Sequence, residues 1–243
     1  MRIIKKLLLT APLLATFSVA TYANDYKTTI EYRHEYKDGN EKFADRFKVF
    51  LDTGNNIGFE LDARYNNDEE NKQYDSMSMN GSEFSTFYYK NLTENLTGLV
   101  GTSLDFNPDG LVYVPYLRLN YKFDNGIRTQ ARYKWKLWDY GMIGQNGQSY
   151  HSKIQEIDTW LGYSTGNWDF QSEFQYWKEM ESNGLALYNN KDTNYLYNFR
   201  IMYSIFTENG NKWRPFIEIG NVSQSRYTDD RQTRYRVGVK YTW

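Results

Sequence analysis

Residues 234–243 read Arg-Tyr-Arg-Val-Gly-Val-Lys-Tyr-Thr-Trp, with an apolar or aromatic side chain at nearly every second position. Successive side chains of a β-strand point to opposite faces, so this stretch predicts a strand with two different surfaces. Val237 and Tyr241 lie on one face, and Arg234 and Arg236 lie on the other. In a soluble sandwich the apolar face would be the core, whereas in an outer-membrane barrel it meets lipid and the basic face lines a lumen.

The first part of the chain favours the membrane alternative. Residues 1–23 begin with basic side chains, continue through an apolar stretch at 7–15 and close on a small-x-small site at 21–23, which is typical of a secretory signal peptide. No later segment approaches the roughly 20 apolar residues of a transmembrane helix. A membrane-embedded chain must then be a closed barrel, which we expect to cover residues 24–243.

The composition is compatible with such a barrel. Aromatic residues make up 18% of the chain, with 23 tyrosines and 7 tryptophans, and these side chains suit membrane interfaces. The chain has no cysteine, so disulfides and thiolate metal sites are excluded. Its formal net charge of −1 predicts nothing about a ligand, because the positions of the charges matter more than their sum.

Period-two runs bounded by Gly, Asn and Asp predict an all-β fold, a transmembrane up-and-down antiparallel β-barrel of twelve strands. The connections between the runs alternate between short turns and mostly longer polar loops. This layout is typical of barrels with short periplasmic turns and longer extracellular loops, and an even strand count places both ends of the barrel in the periplasm. The predicted strands are 28–36, 45–53, 57–65, 83–91, 96–105, 112–123, 127–137, 154–163, 168–178, 194–205, 213–222 and 234–243.

The inward faces of these strands carry the functional information. If the apolar residues of each strand face lipid, the alternate positions face the lumen, and many of them are basic. A guanidinium group stays charged and matches a carboxylate with its planar fork, so rows of arginine indicate an anionic solute with repeated carboxylates. The basic residues predicted to line the substrate path are Arg33, Arg46, Lys48, Arg64, Arg118, Arg128, Arg132, Lys134, Arg200, Arg234, Arg236 and Lys240.

Acidic residues also fall at inward positions, among them Glu156, Asp158 and Glu218. We expect the acids of the eighth, ninth and eleventh strands to lie opposite basic rows on the sixth and seventh, which would leave a cationic track. The alternative is that these charges pair with one another and only hold the shape of the barrel, since water-exposed ion pairs are common and weak.

Four short motifs link the chain to a known family. They read Pro-Tyr-Leu-Arg-Leu at 115–119, Arg-Tyr-Lys-Trp-Lys at 132–136, Pro-Phe-Ile-Glu at 215–218 and Tyr-Arg-Val-Gly-Val at 235–239. The chain resembles the oligogalacturonate-specific porins of the KdgM type, which also include a sialic-acid channel. This resemblance implies a monomeric barrel whose narrow pore, lined by arginine and lysine rows, passes acidic sugars without energy input. The matching basic positions are Arg118, Arg132, Lys134 and Arg236.

Other classes of function remain open at this point. A channel of the same kind could select sialic acid, and an outer-membrane hydrolase of the lipase type would need a histidine beside a nucleophile. His34 falls on the apolar face of the first strand, and His151 lies in a polar loop next to Ser152. A third class is a closed structural or adhesive barrel whose inward charges pair completely.

We therefore predict a porin of the Gram-negative outer membrane for passive, anion-selective diffusion of acidic mono- or oligosaccharides. The expected partners are these sugars, outer-membrane lipids and lipopolysaccharide; we expect a monomer that binds no nucleic acid. No enzymatic activity, cofactor or metal ion is expected. Acidic runs at 68–70 and 229–230 lie in predicted outer loops, where such runs are usually solvated.

Overall fold

The computed structural model describes residues 26–67 and 77–243, and twelve long strands run through them. The described residues contain no helix with the length and apolar character needed to cross a membrane. Each of the twelve predicted strands is confirmed. In chain order they are β1 (Lys27–Lys37), β2 (Lys42–Asp52), β3 (Ile57–Asn67), β4 (Met77–Asn91), β5 (Leu96–Asn107), β6 (Gly110–Lys122), β7 (Ile127–Trp138), β8 (Lys153–Thr165), β9 (Trp168–Glu179), β10 (Thr193–Tyr203), β11 (Lys212–Ser223) and β12 (Arg231–Thr242).

The strands form a closed antiparallel meander. Each one pairs with its neighbours in the chain, and β12 returns to pair with β1 over nine residues, from Thr29 opposite Thr242 to Lys37 opposite Arg234. Closure removes the unpaired edges of the sheet, so the backbone N–H and C=O groups of every barrel strand have neighbours on both sides.

Side chains alternate around this wall as the sequence predicts. Leu117, Leu161 and Val237 point outward, and each is more than half exposed in the absence of lipid. Their neighbours point inward, where Tyr116 and Arg236 are buried. An apolar exterior around a polar interior is the surface pattern of a barrel that sits in a bilayer.

Aromatic rings gather at the strand ends on the outer surface. Trp213 packs against Tyr241 with ring centroids 4.3 Å apart, and Tyr241 stacks on Trp243 at 5.3 Å. Trp168 meets Tyr203 edge-on at 4.8 Å. All of these rings lie at the end of the barrel that carries the short turns, so they form an aromatic girdle at the periplasmic interface.

The two ends of the barrel differ in their connections. Short turns join β2 to β3, β4 to β5, β6 to β7, β8 to β9 and β10 to β11. Gly126 and Gly210 take φ values of 85° and 79° in two of these turns, a conformation that side chains with a Cβ rarely adopt. Each of these glycines follows an asparagine, so Asn-Gly pairs supply the positive φ of both turns.

Longer loops at the opposite end contact one another. The loop after β7 contains a small hairpin, Met142–Ile143 with Ser149–Tyr150, and the Tyr150 hydroxyl accepts a hydrogen bond from the Leu185 N–H at 2.9 Å. Leu185 belongs to the loop between β9 and β10, and Tyr188 of that loop donates a hydrogen bond to the Asp229 carbonyl at 2.5 Å. Three extracellular loops are therefore tied together above β7 to β12.

The strand boundaries differ from prediction where the sheet is irregular. β4 begins at Met77 instead of residue 83, because a register shift between Arg64 and Tyr65 lets the strand continue past Gly81, whose φ is 132°. β10 ends at Tyr203, and a two-residue strand, Ile205–Phe206, resumes the pairing with β11 after Ser204.

A charged residue on the lipid-facing wall tests this placement. We expect Leu117→Arg, near the middle of β6, to lower the free energy of unfolding by about 2–4 kcal/mol, because lipid cannot solvate the guanidinium. Leu111→Arg, on the same face but at the extracellular end of β6, should cost about 0–1 kcal/mol. Urea titration of barrels refolded into phospholipid vesicles measures both values. Equal losses at the two positions would contradict the proposed depth of β6 in the membrane.

Candidate channel lumen

The inner wall encloses a cavity of about 830 Å³. Charged side chains dominate its lining, with basic residues from β1, β2, β3, β6, β7, β10, β11 and β12 and acidic residues from β1, β2, β3, β4, β5, β8 and β9. Because inward positions recur at every second residue, each strand contributes a column of side chains to this surface.

The strand register places all of the predicted substrate-path residues on the inner face. All of them except Arg128 line the cavity. Arg128 faces inward near the periplasmic end of β7, where its guanidinium lies across Gly162 of β8. It binds Asp169 at 2.7 Å and the Ser164 hydroxyl at 2.6 Å.

An ion-pair chain crosses the seam where β1 meets β12. Arg236 contacts Glu35 of β1 at 2.6 Å and Glu218 of β11 at 2.5 Å. Glu218 also binds Arg200 of β10 at 2.6 Å, and Arg234 lies 3.9 Å from Glu35. The chain therefore spans four adjacent strands, and its members are largely shielded from solvent, with Arg236 9% exposed.

A second network joins β7 to β8. Lys134 and Lys136 form ion pairs with Glu156 at 2.6 and 2.5 Å. Asp158 forms ion pairs with Arg132 at 2.8 Å and with Lys134 at 3.1 Å. The expectation that the acids of β8 lie opposite the basic row of β7 is wrong. The two strands are neighbours in the sheet, so the acids neutralise that row directly.

Most of the other predicted cations also have carboxylate partners. These pairs lie between adjacent or nearby strands and tie the wall together along the lumen. They are Arg46 with Asp62, Arg64 with Asp105, Lys48 with Glu60 at 2.7 Å, and Lys240 with Glu31 at 2.8 Å.

Arg33 and Arg118 differ from the rest of the predicted set. Neither guanidinium has a carboxylate oxygen within 4.0 Å among the described residues. Arg118 donates to two neutral acceptors, Asn120 Oδ1 at 2.7 Å and Gln130 Oε1 at 2.5 Å. The Nε of Arg33 is buried, with no acceptor among the described side chains and backbone. No carboxylate contacts these two arginines directly, and the lumen carboxylates of Glu83 and Glu173 likewise have no contacting cation among the described residues.

Aromatic rings lie beside these cations. The Arg118 guanidinium sits 5.4 Å from the ring centre of Trp160, and Arg132 lies 5.2 Å from the same ring and 5.6 Å from Tyr116. Trp160 donates through Nε1 to Glu173 at 2.9 Å, which fixes the plane of the ring. The rings narrow the lumen and hold the guanidinium groups by cation–π contacts.

Several lumen cations are absent from the predicted set. Lys136 lies on the inward face that alternation predicts for β7, and Arg214 lies at an inward position of β11 that the same alternation identifies. Lys27 and Lys212 fall just outside the predicted limits of their strands, so the pattern gave no signal for them. All four line the cavity.

The two histidines are not arranged as catalytic bases. His34 Nδ1 lies 2.9 Å from Asp45 Oδ1 on the outer face, and the same carboxylate oxygen accepts the Tyr32 hydroxyl at 2.7 Å. His151 Nδ1 lies 3.2 Å from the Trp138 carbonyl, while the neighbouring Ser152 donates to Glu179. A nucleophile activated by histidine requires a hydrogen bond between the two, and neither of these two histidine contacts is with a serine, threonine or cysteine.

The signal-peptide interpretation and the acidic run at 68–70 both lie outside the described residues. Within 26–67 and 77–243, no group of three His, Cys, Asp or Glu side chains is placed to hold a metal ion.

A closed barrel with an apolar exterior and a charged interior is the architecture of outer-membrane barrel proteins, the porins among them. The sequence matches the oligogalacturonate-specific porin protein (KdgM) family over residues 19–243, and the chain belongs to this family. Members of the family are channels and not enzymes, so the hydrolase alternative is set aside, and the protein lies in the outer membrane of a Gram-negative bacterium.

Individual relatives agree with this assignment. The chain is 31% identical to the uncharacterized protein YiiY of Salmonella typhimurium, covering 98% of this chain and 97% of that protein. It is 29% identical to the oligogalacturonate-specific porin KdgM of Dickeya dadantii, covering 95% and 98%. The solved NanC porin superposes with a TM-score of 0.75 at 17% identity, covering 86% of this chain and 98% of NanC, which supports the fold.

Removal of the central cation of the seam should weaken the barrel. We expect Arg236→Gln to lower the free energy of unfolding by about 3 kcal/mol, because it leaves the carboxylates of Glu35 and Glu218 shielded from water with one partner fewer. Lys153→Gln removes one side of an exposed ion pair with Glu181 and should cost about 0–1 kcal/mol. Urea unfolding in vesicles compares the two variants. Equal stability of Arg236→Gln and the wild type would show that the seam does not depend on this ion-pair chain.

Proposed function

We propose that this porin is a passive, anion-selective channel for acidic sugars of the oligogalacturonate kind, and that the predicted basic residues form the substrate path. The protein acts as a monomer in this proposal, with its aromatic girdle and apolar wall in contact with outer-membrane lipids and lipopolysaccharide. The name and substrate of the Dickeya dadantii relative support the choice of an acidic oligosaccharide.

The observation that carries the proposal is the uncompensated charge of Arg33 and Arg118. A cation bound to a carboxylate adds little to the potential of the lumen, because the two charges cancel at the distance of a passing solute. Arg118 is held by neutral acceptors instead, so its full charge acts on the lumen. Anions are therefore concentrated in the pore and cations are depleted.

The paired cations have a different role in this proposal. Each keeps N–H donors beside its carboxylate partner, so a sugar carboxylate can exchange with that partner without leaving a charge unpaired. Conduction requires sites that attract a solute and also release it. Rows of exchangeable ion pairs along the wall provide many weak sites, and the two uncompensated arginines provide the selectivity.

Substrate preference is tested by liposome swelling. Vesicles containing the purified porin should admit trigalacturonate faster than a neutral trisaccharide of similar size, since the lumen concentrates anions. Sialic acid, tested in parallel, separates a preference for oligomers from a preference for any sugar carboxylate. Faster uptake of the neutral trisaccharide would overturn the proposal.

Ion selectivity is tested by variants of the uncompensated arginines. A unit charge about 6 Å away in water attracts an anion and repels a cation by about 0.7 kcal/mol each, so each loss should lower the anion-to-cation permeability ratio roughly tenfold at low salt. We expect Arg118→Gln and Arg33→Gln each to show this decrease in the reversal potential measured across a KCl gradient in planar bilayers.

A matched control removes an ion pair without changing the net charge. The double variant Arg64→Gln with Asp105→Asn deletes both partners of one lumen pair and should leave the permeability ratio near the wild-type value. If this control lowers the ratio as strongly as Arg118→Gln, then the uncompensated arginines are not the source of selectivity.

A further inference from the structure

Three basic residues outside the predicted substrate path meet at the periplasmic end of the lumen. Lys212 of β11 is level with Thr242 of β12 and, through it, with Thr29 of β1. Arg214 lies one inward position above Lys212, and Lys27 lies one inward position below Thr29. The three side chains therefore occupy one corner of the cavity, on the two strands that flank β12.

No carboxylate forms an ion pair with the described cations of this corner. Lys27, Lys212 and Arg214 have no carboxylate oxygen within 4.0 Å in the part of the chain that the structure describes. The acids nearest to them are already bound to other groups. Glu31 binds Lys240 at 2.8 Å, Asp169 binds Arg128 at 2.7 Å, and Asp52 accepts the Tyr89 hydroxyl at 2.8 Å.

The donors of the corner also lack acceptors. The Nε of Arg214 is buried and has no hydrogen-bond acceptor among the described residues. The ammonium group of Lys212 lies 5.4 Å from the ring centre of Phe206. This cation–π contact stabilises the cation but provides no hydrogen-bond acceptor atom. Three like charges held together without a counter-ion repel one another, and a bound anion relieves this repulsion.

Among the residues that the structure describes, the extracellular half of the cavity has no such cluster. Arg46, Arg64, Lys136, Arg234 and Arg236 line it there, and each lies within 4.0 Å of a carboxylate oxygen. Arg33, level with Arg46, is a single exception. The uncompensated charge of the lumen is thus shifted toward the periplasm.

We propose that Lys27, Lys212 and Arg214 form an anion-binding site at the periplasmic mouth that takes the carboxylates of an acidic oligosaccharide. The assignment rests on the proposed function of the channel. The site makes the pore asymmetric: a polyanion arriving from the periplasm meets uncompensated cations at once, whereas one arriving from outside first passes ion pairs. It holds the sugar at the exit of the pore and so controls its release.

One-sided block of single channels tests the site. The orientation of the barrel is assigned with an epitope tag inserted after Gly147, where an added side chain meets open space, and an antibody added to one compartment. Trigalacturonate is then added to either side in 0.1 M KCl, and the half-blocking concentration for the potassium chloride current is measured. We expect this concentration to be about tenfold lower from the periplasmic side, as two or three nearby charges would give, and the difference to vanish in 1 M KCl.

The double variant Lys212→Gln with Arg214→Gln should raise the periplasmic half-blocking concentration about tenfold, to near the extracellular value. The matched control, Lys90→Gln with Lys178→Gln, removes the same charge from outward-facing positions and should keep the wild-type asymmetry. If the double variant does not insert into the bilayer, the single variant Lys212→Gln, at a half-buried position near the strand end, replaces it. This variant should raise the periplasmic half-blocking concentration roughly threefold.

The outcomes separate this site from the function of the channel. A wild-type pore that prefers potassium to chloride would overturn the proposed function itself. An anion-selective wild-type pore that is blocked equally from both sides, or a double variant that keeps the asymmetry, would overturn only the periplasmic site.

Discussion

The structure depends on one constraint, the need to satisfy every backbone N–H and C=O group inside a hydrocarbon layer that offers no hydrogen-bond partners. Twelve strands meet it by closing β12 onto β1, so that no edge is left unpaired. Closure then divides the side chains of each strand into two sets, and the lipid takes the apolar set. The other set faces a lumen lined largely by charged side chains and a few aromatic rings.

The charges of the lumen follow from this geometry. Many inward side chains are ionic, and the narrow interior brings those of adjacent strands within contact distance, as between Arg132 and Asp158. Pairing neutralises most of the wall. The electrostatic character of the pore then depends on the few charges that the register leaves without an ion-pair partner in the described part of the chain. The cations among them, Arg33 and Arg118 in the barrel wall and the cluster of Lys27, Lys212 and Arg214 below them, outnumber the acids, Asp52, Glu83 and Glu173.

The sequence predicts the barrel well because its signal is repeated in every strand. Alternation in β7, for example, identifies Arg132 and Lys134 as inward residues without any knowledge of the neighbouring strands. The partners of these residues are harder to predict, since pairing depends on register and on which column of side chains lies next to which. The acids of β8 are an example. Alternation places them on the inner face, but only the order of strands in the sheet shows that they lie beside the basic residues of β7 and neutralise them. Lys27 and Lys212 were missed because turn-rich sequence at strand ends carries no alternation, and the early start of β4 depends on the bulge at Gly81.

The seam ion pairs bear on how the barrel is assembled. Glu35 meets Arg236 when the first and last strands are aligned as observed, but a slip of two residues in one direction would bring Gly238 opposite Glu35. Such a slip keeps the apolar face toward lipid, so hydrophobicity alone does not reject it. The buried carboxylate left without its cation disfavours it, so this ion pair helps to fix the register in which the two ends of the barrel join.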